Sequence, residues 1–282
     1  MTHQPLQSEV THHYLRPKKK FPNVWCAGCG NGIVMGALIR AIDKLGLDKN
    51  DVAVISGIGC SSRMPVYLDF NTLHTTHGRA LAFATGVKIA KPQMKVIVIT
   101  GDGDALAIGG NHFIHACRRN IDITAVLINN KIYGMTGGQF APTTPGGMIA
   151  TTAPHGNYEK QFDVVKLAIG AGASYVARGT VYHVTQLEKL ITGGLRKKGF
   201  ALIDAFSNCH TYYGRMNREG DAVAMIRWFK KHAMPVEAAA RIPPEKLKDK
   251  FITGLIHETD ATEFCEEYHW LVDRLSGKEA EK

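Results

Sequence analysis

A glycine-flanked aspartate and a pair of asparagines are the residues of this sequence whose types and spacing best suit ligand binding. Gly101-Asp102-Gly103-Asp104 follows an apolar run, and Asn129-Asn130 ends the next such run after 25 intervening residues, 104 to 128. A carboxylate and an amide oxygen suit a hard divalent cation that holds diphosphate. The glycines let the backbone approach phosphate oxygens. Taken alone, Gly-Asp-Gly is also a common tight turn, and Leu106 stands where a dinucleotide-binding loop needs its third glycine.

Cysteines form the second group of residues that could do chemistry. Cys26 and Cys29 precede a helix-like stretch, and Cys60 and Cys209 each follow a strand-like run. If these loops meet at one sheet edge, four thiolates converge, and such a set suits zinc or a four-iron cluster equally well. A redox pair, or two small buried residues, is the alternative for Cys26 and Cys29. Two further cysteines are expected to be small core residues, Cys117 and Cys265.

These residues must be positioned by the elements around them, and strand-like and helix-like stretches alternate along the chain. Nearly continuous β-branched runs, typical of strands covered on both faces, occupy residues 52–55, 95–99, 123–128 and 201–203. Helical spacing occupies residues 33–45, 79–90, 105–119, 164–170 and 184–196. We therefore expect an α/β fold with a doubly wound, mainly parallel sheet, helices on both faces, and ligands beyond the carboxyl ends of the strands.

Length and composition exclude several classes of protein. The 282 residues are 45% hydrophobic and 21% charged, which excludes a disordered chain, a coiled coil and a collagen-like fibre. No run approaches eighteen apolar residues and no secretory signal opens the chain, so we expect no membrane span and a cytoplasmic location.

The formal net charge is +9, and it leaves two interpretations open. The basic run at residues 16–20 has no aromatic-interleaved repeat, so nucleic-acid binding is not expected. A solvated basic surface and a face that attracts an acidic partner both remain compatible with the charge.

The chain divides into three predicted parts: an N-terminal arm (1–20), a binding domain (21–215) and a charged C-terminal helical tail (216–282). Within the domain, residues 131–158 are rich in Gly, Thr and Pro. A stretch of this length inside a compact domain is usually a functional loop.

Four motifs occurring in order resemble the thiamine-diphosphate-binding β subunits of 2-oxoacid:ferredoxin oxidoreductases. They are Trp-Cys-Ala-Gly-Cys-Gly-Asn-Gly at 25–32, Gly-Ile-Gly-Cys-Ser-Ser-Arg at 57–63, His-Thr-Thr-His-Gly-Arg-Ala at 74–80, and Gly-Asp-Gly-Asp at 101–104. The resemblance covers residues 20–215 and implies the thiamine-diphosphate-binding fold.

The resemblance also implies a set of cofactors and the residues that bind them. Mg²⁺ would be bound by Asp102, Asn130 and the Ile132 carbonyl. One 4Fe-4S cluster would be held by Cys26, Cys29, Cys60 and Cys209. Thiamine diphosphate would be contacted by Ile58, Gly59, Ser61, His77, Gly101, Asp102, Gly103, Asp104, Asn130, Ile132, Gly134 and Thr136.

The activity implied is oxidative decarboxylation of a 2-oxoacid to its acyl-coenzyme A, or the reverse, with electrons passing to ferredoxin. Tyr-Gly-Met-Thr-Gly-Gly-Gln at 133–139 looks more like the 2-oxoglutarate branch, since broader-specificity members often have Lys where Gly137 stands. A counter-charge for the distal carboxylate is then expected from Arg63, Lys131 or the partner chain. The alternatives are a pyruvate- or branched-chain-specific relative, and a non-catalytic, zinc-stapled α/β interaction module.

The family's enzymes also need a glutamate that activates thiamine, normally supplied by a second α/β domain. Only one such domain is evident here, so we predict that an α subunit supplies the glutamate in an αβ or α2β2 assembly. We expect no catalytic side chain from this chain itself. Ferredoxin, often acidic, is the expected electron carrier, and the basic surface is its candidate docking face.

Overall fold

The computed structural model describes residues 7–18 and 22–277. Ten strands lie in this part of the chain: β1 (Val52–Ser56), β2 (Asn71–His74), β3 (Lys95–Gly101), β4 (Ile123–Asn129), β5 (Ile132–Tyr133), β6 (Gln139–Phe140), β7 (Tyr175–Thr180), β8 (Ala201–Phe206), β9 (Ala233–Pro235) and β10 (Phe251–Glu258). The α-helices are α1 (Gln7–His13), α2 (Asn31–Lys44), α3 (Ala80–Ala90), α4 (Gly110–Arg119), α5 (Val164–Gly170), α6 (Val184–Arg196), α7 (Arg215–Asn217), α8 (Ala222–His232), α9 (Val236–Ala239) and α10 (Phe264–Leu275).

Eight strands form one sheet in the order β2-β1-β3-β4-β8-β7-β10-β9, and β5 pairs with β6 in a separate hairpin. The first six strands of the sheet run parallel, whereas β10 pairs antiparallel with β7. From β1 the chain goes outward to β2 and then returns to β3 on the other side. The topological switch point therefore lies between β1 and β3, where sheets of this kind bind ligands.

Two hydrophobic layers cover the sheet, as strands buried on both faces require. Alternate strand residues such as Val54 and Ile99 pack with α2 and α6 on one face. Their neighbours in the strands, such as Ile55 and Val98, pack with α3, α4 and α5 on the other face. Cys117 and Cys265 are buried in this second layer. The prediction of a doubly wound, mainly parallel α/β sheet is confirmed.

The sequence pattern did not reveal β7, because one charged residue, Arg178, interrupts the apolar run there. Arg178 lies inside this fully buried strand and pairs with Asp204 at 2.7 Å and with Asp163 at 2.9 Å. Asp204 belongs to the neighbouring strand β8, so the ion pair bridges two central strands. Buried charges are retained in this way only when they are paired and hydrogen-bonded.

The predicted helical tail at residues 216–282 contains helices α8, α9 and α10 but also strands β9 and β10. Residues 251–258 form β10, which extends the domain's own sheet beside β7. Apolar residues in this short segment, including Phe251 and Leu255, pack against the core, and burial there outweighs the surrounding charged pattern. The predicted domain boundary at residue 215 remains a prediction, and residues 278–282 of the predicted tail lie outside the described residues.

Part of the predicted N-terminal arm packs on the domain. Leu15 is buried and forms a β-bridge with Leu68, and the Arg16 guanidinium donates to the Leu68 carbonyl and to the Thr72 hydroxyl. Residues 1–6, 19 and 20 of the arm lie outside the described residues. Within residues 7–18 and 22–277, every helix is too short or too polar to cross a bilayer.

Candidate functional site at the switch point

The carboxyl ends of three neighbouring strands bring the predicted ligand-binding residues together. Ile58 and Gly59 follow β1, the Gly-Asp-Gly turn follows β3, and Asn130 follows β4. The chain after the Gly-Asp-Gly turn continues as a π-helical turn, Asp104–Ile108, before α4 begins. The helix predicted at residues 105–119 is present, but it begins with the π-helical turn and becomes α-helical at Gly110. Such π-helical turns are often found at functional sites.

Asp102 is a buried carboxylate surrounded by hydrogen-bond donors. Its side chain accepts from the backbone N–H of Gly103 at 2.9 Å, from the Thr143 hydroxyl and from the backbone N–H of Lys131. Burial nevertheless raises the pKa of Asp102 to about 6, and these three donors oppose that rise. A carboxylate has about four lone-pair directions, so one remains available for a cation.

The backbone after β4 turns so that Asn130 stands beside this carboxylate. The Asn130 side chain accepts from the backbone N–H of Ile132 at 3.2 Å, and Lys131 between them adopts φ +63°. The Lys131 N–H thereby reaches Asp102. Asp102, Asn130 and Ile132 line the same cavity. Their carboxylate, amide and carbonyl oxygens are donors of the kind that Mg²⁺ prefers.

The loop at residues 131–158 folds back over this corner. The Thr144 hydroxyl donates to the Lys131 carbonyl at 2.6 Å, and Asn157 donates to the Thr144 carbonyl at 2.9 Å. These hydrogen bonds position the Thr143 hydroxyl to donate to Asp102. Thr143 was not predicted, because one threonine in a Gly- and Thr-rich loop has no distinguishing signal in the sequence.

Asp104 connects the loops of the site to each other. One carboxylate oxygen accepts from the N–H groups of Ile58 and Gly78 and lies 2.6 Å from His77 Nδ1, while the other accepts from the Thr100 hydroxyl. Because both oxygens are used by the protein, the side chain of Asp104 fixes the switch-point loops. The same contact orients His77 with Nδ1 toward the carboxylate and leaves Nε2 for other partners.

The glycines of the Gly-Asp-Gly turn are needed for a reason that the sequence alone did not suggest. A Cβ on Gly103 would overlap the ring of Tyr133, whose hydroxyl donates to the Gly103 carbonyl at 2.8 Å. A Cβ on Gly101 would lie 3.2 Å from the Ser61 hydroxyl oxygen. Close packing of neighbouring loops, in addition to any approach to phosphate, therefore requires small residues at both positions.

All twelve residues predicted to contact thiamine diphosphate line one cavity of about 140 Å³. The cavity is also lined by the predicted cluster ligand Cys60 and by four residues for which no contact was predicted: Asn31, Ile128, Tyr133 and Met135. Within the part of the chain that the structure describes, the lining contains no Lys or Arg but two buried carboxylates, Asp102 and Asp104. No Lys or Arg of the described lining therefore supplies a counter-charge for an anion bound here.

The two basic residues expected to meet a distal carboxylate do not line this cavity. Arg63 is absent from its wall, and the side chain of Lys131 points to the opposite side of the loop. The Lys131 ammonium lies 5.2 Å from the centre of the Trp228 ring and 5.9 Å from those of Phe206 and Tyr213. These aromatic contacts hold the cation away from the predicted site.

The four predicted cluster ligands line a second cavity of about 340 Å³. Cys26 and Cys29 come from the turn before α2, Cys60 from the loop after β1, and Cys209 from the loop after β8. No three His, Cys, Asp or Glu side chains among the described residues are close enough to hold a single metal ion. The four thiols are therefore distributed around the wall of this cavity.

Backbone N–H groups point at three of these sulfurs. Cys29 accepts from Asn31, Cys60 from Met135, and Cys209 from Tyr212 and Tyr213. Burial raises the pKa of the Cys29 thiol to about 11 and that of Cys60 to about 12, and the N–H donors partly oppose it. Donors aimed at sulfur suit thiolates bound to a cationic centre.

The two cavities share part of their wall. Asn31, Cys60, Asn130, Gly134 and Met135 line both. At Gly134 a Cβ would lie 3.3 Å from the Cys60 sulfur and 3.7 Å from the Cys209 sulfur. A ligand in the first cavity and a group held by the cysteines would therefore be neighbours.

Comparisons with known proteins agree with this architecture. Residues 57–205 match the family described as thiamine pyrophosphate enzyme, C-terminal TPP binding domain. The chain is 51% identical over 265 residues to the 2-oxoglutarate synthase subunit KorB of Methanocaldococcus jannaschii, a match that covers 94% of this chain and 98% of the relative. It is 45% identical over 192 residues to the 2-oxoacid:ferredoxin oxidoreductase subunit beta of Saccharolobus solfataricus, covering 67% of this chain and 63% of that one.

A solved structure is similar as well. The 2-oxoglutarate:ferredoxin oxidoreductase from Magnetococcus marinus, with 2-oxoglutarate, coenzyme A and succinyl-CoA bound, superposes with a TM-score of 0.84 at 34% sequence identity. The match covers 96% of this chain and 92% of that chain. These findings confirm the resemblance seen in the sequence motifs, and the chain belongs to the family of thiamine-pyrophosphate-binding β subunits of 2-oxoacid:ferredoxin oxidoreductases.

Proposed function

We propose that the chain is the β subunit of a 2-oxoglutarate:ferredoxin oxidoreductase. The enzyme converts 2-oxoglutarate and coenzyme A to succinyl-CoA, CO2 and a proton, and passes two electrons singly to two ferredoxins, or runs in reverse. The observation that carries the proposal is the pair of adjoining cavities, one lined by all twelve predicted thiamine contacts and the other by four thiols. When bound, thiamine diphosphate would supply the electron-accepting ring and a cluster the one-electron path.

Mg²⁺ is proposed as the ion that makes the first cavity able to hold a diphosphate. The described lining provides two buried carboxylates and no Lys or Arg, so a diphosphate alone would be repelled. A divalent cation on Asp102, Asn130 and the Ile132 carbonyl would offset the negative charge of the carboxylates and of the diphosphate. All three ligands are hard oxygen donors. The chain's own residues then anchor the cofactor: Asp102 through the ion and Asp104 by fixing the loops.

A 4Fe-4S cluster is proposed for the second cavity. Its support is the Cys₄ donor set, the N–H groups aimed at three sulfurs, and a volume larger than a single ion needs. Anaerobically purified protein should then be brown with about four irons per chain, which is the count that defines the cluster. A colourless protein with about one zinc per chain would favour the zinc-stapled interaction module. All six cysteines are free, and we propose a cytoplasmic location, a reducing compartment.

An α subunit is proposed to complete the site. A cavity of about 140 Å³ is smaller than the roughly 300 Å³ at the low end for ligand pockets, so this chain encloses only part of a cofactor. Neither Arg63 nor Lys131 lines the cavity, which favours the partner as the source of the charge that meets the distal carboxylate. The partner is also the proposed source of the thiamine-activating glutamate.

The substrate is proposed to be 2-oxoglutarate. The names of similar relatives and of a similar solved structure support this assignment. Gly137 adopts φ +116°, a conformation that a side chain such as Lys rarely adopts, so the loop is built for glycine at that position. Because Gly137 has no side chain, the loop leaves room for a longer substrate.

One experiment tests the assignment directly. The chain is coexpressed with its α partner, and viologen-dye reduction is measured with 2-oxoglutarate, pyruvate and a branched-chain 2-oxoacid in the presence of coenzyme A. We expect the highest kcat/KM with 2-oxoglutarate, and no turnover by this chain without the partner. A preference for pyruvate or a branched-chain acid would assign the chain to that alternative, and full activity of the isolated chain would refute the need for an α subunit.

Ferredoxin is proposed as the electron carrier, with the basic surface of the chain contributing to docking. The net charge of +9 would attract an acidic protein, and such attraction weakens with ionic strength. The rate of ferredoxin reduction by the αβ enzyme should therefore fall as salt is raised. A rate independent of salt would exclude charge-guided docking.

A further inference from the structure

Asn31 occupies a distinctive position between the two cavities. It is the first residue of α2, is 2% exposed, and lines both the predicted thiamine cavity and the cysteine cavity. Its side-chain Nδ2 donates to the Cys29 sulfur at 3.4 Å, and its backbone N–H donates to the same sulfur.

The orientation of this amide is fixed by the sulfur. The Asn31 Oδ1 is buried and has no hydrogen-bond partner, so no donor to this oxygen selects the present orientation. If the amide were turned over, its oxygen would face the Cys29 sulfur and the donor would be lost. Donation to sulfur therefore determines how the side chain lies.

The other N–H donors to the cluster sulfurs are backbone groups, on Met135, Tyr212 and Tyr213. Within residues 7–18 and 22–277, Asn31 is the one side chain that donates to any of the four sulfurs. It is consequently the one donor that an amino-acid substitution can remove without changing the backbone.

We propose that the Asn31 side chain sets the reduction potential of the iron–sulfur cluster through its N–H bond to Cys29. The inference rests on the proposed function, since it needs the cluster. Reduction adds one negative charge that spreads onto the sulfurs, and a donor bond to sulfur stabilises that reduced state more than the oxidised one. Burial strengthens the effect, because the surroundings screen the charge weakly. Asn31 acts in this proposal as a tuning residue, through the Cys29 sulfur.

The test measures the cluster potential in the αβ enzyme by a redox titration followed by electron paramagnetic resonance. Asn31→Leu removes the donor with little change in size, and Asn31→Asp removes it while adding a negative charge. Aspartate is favoured in the first turn of a helix, so the second variant keeps the fold if leucine does not. Tyr212→Phe is the control, because this side chain lines the same cavity but donates to none of the four sulfurs.

The expected result is a potential that becomes more negative in Asn31→Leu, more negative still in Asn31→Asp, and unchanged in Tyr212→Phe. An unchanged potential in an Asn31 variant that retains its cluster would overturn the inference, as would an equal shift in the control. Failure of the proposed function is distinguishable, because wild-type enzyme would then lack the cluster signal altogether.

Discussion

Replacement of Asp102 by asparagine should stabilise the chain when Mg²⁺ and thiamine diphosphate are absent, although it removes a proposed metal ligand. The carboxylate is 2% exposed, and its nearest partners are neutral donors: Gly103 N–H, the Thr143 hydroxyl and the Lys131 N–H. An ionised carboxylate with no counter-ion is costly to bury. Asparagine keeps the shape and one acceptor, and its amide can donate to the Thr143 hydroxyl.

The magnitude follows from the pKa of Asp102, which burial raises from 3.8 to about 6. A difference of one in pKa corresponds to about 1.36 kcal/mol, so the ionised folded chain is destabilised by about 3 kcal/mol above pH 6. Between pH 3.8 and about 6 the folded chain binds more protons than the unfolded chain. Its stability therefore rises as the pH falls through that window, and the advantage of the asparagine variant disappears there.

Urea denaturation of the chain freed of Mg²⁺ and thiamine diphosphate, followed by tryptophan fluorescence at pH 7.5 and pH 4, measures this effect. We expect Asp102→Asn to raise the free energy of unfolding by about 1–3 kcal/mol at pH 7.5. The upper value corresponds to removal of the whole cost of burying the ionised carboxylate. A saturating Mg²⁺–thiamine diphosphate mixture at 100 times Kd should add about 2.7 kcal/mol to the wild type and nothing to the variant. The control is Asp104→Asn, which should lose about 1–3 kcal/mol because four donors compete for its carboxylate.

Two results would refute the reasoning. A variant less stable than the wild type at pH 7.5, or an advantage that persists unchanged at pH 4, would mean that the buried charge is not the source of the penalty. Equal stabilisation of both proteins by the cofactor mixture would remove Asp102 from the magnesium site.

Three further substitutions test other parts of the structure. Gly103→Ala should lower the free energy of unfolding by about 1–3 kcal/mol, because its Cβ would overlap the Tyr133 ring. Adding Tyr133→Ala should recover part of that loss in a double-mutant cycle, and purely additive effects would contradict the contact. Cys209→Ser should lower the iron content of anaerobically purified protein, whereas Cys117→Ser in the core should keep the iron and lower Tm; equal iron in both would remove Cys209 from the cluster. Arg178→Met should lower the free energy of unfolding by about 3–5 kcal/mol, because it leaves a fully buried carboxylate unpaired; an unchanged urea midpoint would show that the pair is not stabilising.

The sequence predicted the elements whose apolar pattern is uninterrupted. The strands that begin at Val52, Lys95, Ile123 and Ala201 were all found, because strands covered on both faces must be almost continuously apolar. The strand that contains Arg178 was missed, since its charge is neutralised by a residue distant in the sequence. No local pattern contains that information.

The same distinction applies to the candidate site. Residues carried by motifs, such as Asp102 and Cys60, were predicted as ligand-binding residues and line the two cavities. No role was predicted for Thr143, nor for Tyr133 and Asn31, although these two lie within the quoted motifs. Their roles depend on contacts made only after folding: a hydroxyl on a carboxylate, a ring against a glycine and an amide on a sulfur. Residue types and their spacing in the sequence identify the side chains that could do chemistry. The side chains that hold them in place can be identified only from the tertiary structure.

The wall shared by the two cavities limits how such an enzyme can diverge. At Gly134 an added methyl group would crowd the Cys60 sulfur at 3.3 Å and contact the Cys209 sulfur at 3.7 Å. Met135 lines the first cavity and also donates its backbone N–H to Cys60. A mutation that reshapes the first cavity at these positions would at the same time disturb the sulfurs that are proposed to hold the cluster. New substrate preferences in this lineage should therefore arise through changes elsewhere, such as the neighbouring subunit, while this short segment drifts little.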